Sequence, residues 1–112
     1  MDKKRNLYFY KDYFSKFYQK QNKKTQTKIL WTLRVIEDLE RIPETYLKHL
    51  EKTDGLYEIR IQLGSNIYRI FCFFDDSNIV VIGHGFTKKS QKTPTKELEK
   101  VLKIRRDYYN EK

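Results

Sequence analysis

The stretch GLYEIRIQLGSNIYRIFCFF, residues 55–74, decides the fold of this chain. In YEIRIQL, Tyr57, Ile59, Ile61 and Leu63 alternate with Glu58, Arg60 and Gln62, the period of a half-buried strand. GSN (64–66) supplies turn residues. IYRIFCFF (67–74) then reads as a second strand, apolar on both faces, which belongs in the middle of a sheet with cover on both sides. Arg60 and Arg69 interrupt this apolar pair, where an unpaired guanidinium is very costly.

Working outward, DDSN (75–78) is a second turn and IVVIGHGF (79–86) a third strand, completing an antiparallel meander. Thr93 is placed to cap a C-terminal helix with Pro94 at its first position, and Leu98, Val101 and Leu102 mark its inner face. Upstream, NLYFY (6–10) suits an N-terminal strand. Phe14, Phe17 and Tyr18 then fall at helical spacing. From about Thr25 to Arg41, Ile29, Leu33 and Ile36 form a second helical stripe, widened by Leu30 and Leu39 and stopped by Pro43. The order strand, helix, helix, three strands, helix predicts one α+β domain over residues 1–112. A small, mostly antiparallel sheet packs against a helical hairpin and a C-terminal helix.

With 112 residues, nine Tyr and seven Phe, the chain suffices for one compact core. Lys plus Arg exceed Asp plus Glu by 24 to 15, a formal charge of +9 that points to a polyanionic partner, nucleic acid by default. Cys72 is the single cysteine and reads as a small core residue, so no disulfide framework or Cys-rich zinc site is expected. No Gly-rich phosphate loop, G-x-S-x-G elbow or H-E-x-x-H motif is present. Neither a metal nor a cofactor is expected. The N-terminus lacks a signal-peptide h-region and no segment reaches membrane-spanning length, so the expectation is a soluble, cytoplasmic protein with no membrane partner.

The candidate chemistry lies in cations around the hairpin. A loop of Gly64, Ser65 and Asn66 alone would set Arg69 opposite Ile61. An even-residue loop or a bulge sets Arg60 opposite Arg69, a repulsive pairing that an anion between them relieves. The alternative is separate pairing, for instance Arg60 with Glu58 or a helix carboxylate; the residues leave both open. Past the third strand, Lys88, Lys89, Lys92 and Lys96 belong to a run (84–106) with eight Lys or Arg and two acids. Such a run is either a solvated surface or, converging with the arginines, an anion-binding patch.

GLYEIRI, NIYRIFCFF and GHGFTKKSQKTP, in this order and spacing, resemble the RelE/ParE superfamily of type II toxins, most closely its phage Gp49-like, HigB-type branch. The resemblance runs from about Pro43 to Asp107. It implies a ribosome-dependent mRNA endonuclease, metal-independent, that cuts by attack of the RNA 2′-hydroxyl on the adjacent phosphate. The implied partners are the ribosome, mRNA and a cognate antitoxin. The family's cationic positions fall on Arg60, Arg69, Lys88 and Lys89, with Arg69 at the scissile phosphate, and Lys92 and Lys96 extend the RNA-binding surface. His84 is a candidate general base or acid, or else a structural histidine. RelE-type members use a tyrosine shortly after the basic cluster; here that spacing holds Thr93, Pro94 and Thr95, and the next tyrosines are Tyr108 and Tyr109. Two other functions fit the scaffold: a ParE-like DNA gyrase inhibitor and a non-catalytic RNA-binding module.

Overall fold

The structure, a computed structural model, describes residues 3–89 and 92–112. Its elements run β1 (Asn6–Phe9), α1 (Tyr13–Gln19), α2 (Lys23–Asp38), β2 (Leu47–His49), β3 (Leu56–Leu63), β4 (Asn66–Asp76), β5 (Ile79–Lys88) and α3 (Thr95–Glu111). The five strands form one mixed sheet in the order β1-β5-β4-β3-β2. β1 runs parallel to β5 and every other neighbour is antiparallel. The fold is α+β, as the sequence predicts, and β4 is its central strand.

β4 is apolar on both sides because each side meets a helix layer. On one side Tyr68, Ile70 and Cys72 pack with Ile29, Leu33 and Ile36 of α2 and Phe17 of α1. On the other, Phe71 and Phe73 pack with Val101 and Ile104 of α3. Removing a large apolar side chain from water in this way contributes roughly 1.5–3 kcal/mol. Cys72 is fully buried, the core residue its neighbours suggest.

Several boundaries differ from the sequence reading. β2 is an additional strand, three residues long, whose edge position leaves it no apolar run to betray it. α2 starts two residues early, where the Asn22 side chain accepts a hydrogen bond from the Thr25 N–H at 2.8 Å. It ends at Asp38, before Pro43 acts, because Leu39 turns to an extended conformation. Leu30 and Leu39 therefore do not widen the buried stripe; both are exposed. α3 begins one residue later than expected, with Pro94 rather than Thr93 in the cap position. Among the described residues, no helix is long and apolar enough to cross a membrane.

β5 carries the irregularity that matters most for the site. Ile70 pairs with Gly85 but Cys72 pairs with Ile82, so Gly83 and His84 together oppose Phe71 in a β-bulge. The extra residue reverses the alternation: Val81 upstream and Phe86 downstream both face α3. Gly85 permits close packing on the opposite side, where a Cβ would lie 2.5 Å from the Phe17 ring. β5 also extends to Lys88, two residues past the expected strand end.

Candidate functional site

The loop between β3 and β4 has two residues, Gly64 and Ser65. Leu63 pairs with Asn66 and Arg60 stands directly opposite Arg69. Gly64 takes φ +62°, the left-handed conformation a type II′ hairpin asks of its first loop residue. The register that joins the two arginines on one face is thus the one adopted. That face is the α3 side of the sheet, at the end α3 does not cover.

Both arginines meet one carboxylate. Glu58 Oε2 lies 3.3 Å from Arg69 Nε, and Oε1 lies 3.8 Å from Arg60 Nε. Glu58 and Arg69 are only 4% and 5% exposed. Their facing atoms are close enough for an ion pair but out of line for a hydrogen bond, so each is left without a hydrogen-bond partner. Arg69 donates from a terminal nitrogen to the Tyr68 carbonyl at 3.0 Å, and Arg60 reaches the Glu44 carbonyl at 3.3 Å. Burial lowers the Arg69 pKa, with Glu58 opposing and Arg60 adding to the shift; the guanidinium stays charged at neutral pH. The question of joint or separate pairing resolves into a shared carboxylate, with donor capacity left over.

A cleft of about 680 Å³ opens beside this triad, lined by Lys48, Arg60, Arg69, Lys88 and Lys89, with Glu58 the single carboxylate among the described residues. β5's bulge turns Lys88 to this face, opposite Ile67. Burial lowers the Lys88 pKa; the Glu58 carboxylate opposes that shift, while Arg69, Arg60 and Lys48 reinforce it. Lys48 arrives on β2, directly opposite Glu58. Sequence reasoning missed it, although strict alternation in YLKHL places it beside the hairpin once β2 is known.

The remaining candidates lie elsewhere. His84 is 3% exposed and points at α3, with Nε2 3.1 Å from Glu97 Oε1 and its ring edge-on to Phe71. It lines a separate depression with Lys16, Lys20 and Lys100. Burial lowers its pKa, Lys100 lowers it further, and Glu97 partly restores it. Lys92 and Lys96 are exposed and do not line the cleft. Tyr108 is committed at the far end of the sheet, its hydroxyl donating to Asp75 at 2.5 Å.

The cleft gathers guanidinium and ammonium groups around a volume large enough for a phosphodiester, an arrangement that suits an anion. No curated protein matches the chain. Residues 16–106 match the family described as Phage derived protein Gp49-like (DUF891), and the chain belongs to that family.

Proposed function

We propose that the protein is the toxin of a toxin–antitoxin pair and a metal-independent endoribonuclease that cuts mRNA in the ribosome. The Gp49-like family is associated with RelE-like toxins, which supports this reading. The observation that carries the reading is the pairing of Arg60 with Arg69 across β3 and β4, in a cleft completed by Lys48, Lys88 and Lys89.

In the proposed reaction the 2′-oxygen loses its proton to solvent water and bonds to phosphorus. The bond to the 5′-oxygen breaks, and that oxygen takes up a proton. Negative charge builds on the non-bridging oxygens of a five-coordinate phosphorus, where preorganised cations stabilise it most. Arg69 is assigned to those oxygens, held on a central strand, with Arg60 beside it. Lys88, an ammonium made more acidic by its surroundings, is assigned to protonate the leaving 5′-oxygen. Lys89, Lys92 and Lys96 hold the flanking backbone. His84 is left out of the reaction, because its Nε2 is engaged by Glu97 and it opens on another depression. The antitoxin is assigned an acidic contact surface that complements the cleft.

Inducible expression in bacteria followed by mapping of mRNA 5′ ends tests this reading. The expected result is codon-phased cleavage, abolished by Arg69→Ala with ribosome binding retained. Intact mRNA accompanied by gyrase-dependent DNA breaks would overturn it in favour of a ParE-like poison.

A further inference from the structure

We propose that Trp31 and Tyr46, with Lys28, form a stacking subsite for one unpaired RNA base next to the arginine cleft. The inference rests on the cleft binding RNA, and it names a specificity element that the cation set does not contain.

β2 ends its pairing with β3 at Ile59, and beyond Arg60 β3 is the open edge of the sheet. The chain just before β2 curls over that edge, and the Arg60 N–H donates to the Tyr46 carbonyl at 2.9 Å. A depression of about 320 Å³ follows the edge, lined by Lys28, Tyr46 and Gln62 and bounded by Arg60 and Arg69, which also wall the main cleft. A strand whose phosphate sits on the arginines therefore has a path around β3 onto the α2 side.

That path ends on aromatic surface. Trp31 is 47% exposed on α2. Its indole is held edge-to-face by Tyr46, ring centroids 5.5 Å apart, and the Lys28 ammonium lies 4.7 Å from the indole centre. An isolated exposed tryptophan needs no explanation. One fixed by a second aromatic, capped by an ammonium and adjoining a cationic groove has the parts of a single-stranded nucleic-acid site: a π-face for the base and cations for its phosphates. Charge selects the occupant. Among the described residues, the groove beside the rings is lined by Lys28, Arg60 and Arg69 with no acidic residue, which suits an RNA strand.

Trp31 is the only tryptophan, so its emission reports on this site alone. The probe is a 2′-O-methyl RNA decamer of mixed sequence, which cannot be cut by 2′-hydroxyl attack, set against inorganic polyphosphate, which has charge but no bases. The decamer is expected to quench Trp31 saturably, and polyphosphate to bind while leaving emission largely unchanged. Trp31→Ala should weaken decamer affinity about 5- to 150-fold, the range for one stacked base, without altering polyphosphate affinity. Trp31→Phe should restore most of the loss. Decamer binding with unchanged emission and an indifferent Trp31→Ala overturns the subsite but leaves the cleft reading standing, provided Arg69→Ala still weakens binding. Quenching without cleavage of mRNA in the ribosome keeps the subsite and removes the nuclease. Failure of the wild type to bind the decamer overturns the subsite, while cleavage of mRNA in the ribosome decides the nuclease separately. A Trp31 that responds to the antitoxin and not to RNA makes this a protein-docking face and overturns the proposal.

Discussion

His84 and Lys88 stand four residues apart on β5 and face the same side of the sheet, yet they belong to regions built on opposite terms. Under α3 the face is closed. Phe71, Phe73, Val81 and Phe86 pack against Val101 and Ile104, and His84, buried beside Phe71 and Phe86, has its charged form disfavoured. Beyond the start of α3 the face is equally buried at Glu58 and Arg69, but there charge is retained by clustering opposite signs. The closed half holds the fold together. The open half concentrates cations where a packed core would be more stable, a difference that supports the proposal that it is the working surface.

Truncation should separate the halves most sharply. Phe71→Ala removes a fully buried ring from the closed half and is expected to cost about 3–5 kcal/mol of stability by denaturant unfolding. Replacing the buried ion pair with apolar side chains, Glu58→Leu with Arg69→Met, should leave stability unchanged or raise it by about 1–4 kcal/mol. The same double variant should lose about 100- to 1000-fold in RNA cleavage, the scale of removing one preorganised donor from a developing anion. A double variant as unstable as Phe71→Ala would erase the distinction, making the cluster part of the structural core.

Protonation offers the next contrast. The folded pKa of His84 lies below its unfolded value of about 6.5. Below that value the unfolded chain binds more protons than the native one, so the stabilisation from keeping His84 neutral is complete above pH 6.5. It is lost as pH falls through the folded value. The groups facing His84 are Glu97, which favours its protonation, and Lys100, which opposes it. Wild-type melting temperature should therefore drop more between pH 7.5 and pH 5 than that of His84→Gln. Cleavage at pH 7.5 should be close to wild type in that variant. A large loss of cleavage with unchanged stability would return His84 to the reaction.

The packed layers on the two sides of the sheet are the legible part. The alternation of residues 57–63, the two-faced apolar run of β4 and the helical spacing of Ile29, Leu33 and Ile36 each follow from one periodicity. The open half depended on features without a periodic signature. Whether Arg60 meets Arg69 turned on one residue of loop length. Whether Lys88 joins them turned on a bulge at Gly83 and His84, which strict alternation from Val81 would have placed otherwise. Lys48 required a three-residue edge strand too short for any pattern, and Trp31 lies within the predicted helical stretch 25–41 without a signal of its own. Glu58 was visible as an arginine partner, but its sharing between both arginines emerges only from their being directly opposite.

The border between the two halves supplies the finest test. Lys96 sits in the first turn of α3, exposed, where the closed half gives way to the cleft. If it holds RNA backbone, Lys96→Ala removes one phosphate contact and no base contact. Decamer affinity should fall by a similar small factor for every sequence. The slope of log affinity against log salt should become shallower by about 0.7, the share of one phosphate on a single strand. Trp31→Ala, by contrast, should shift affinity without changing that slope. A Lys96→Ala slope equal to wild type would confine the RNA path to the arginine cleft and the edge of β3, and α3 would then belong wholly to the closed half.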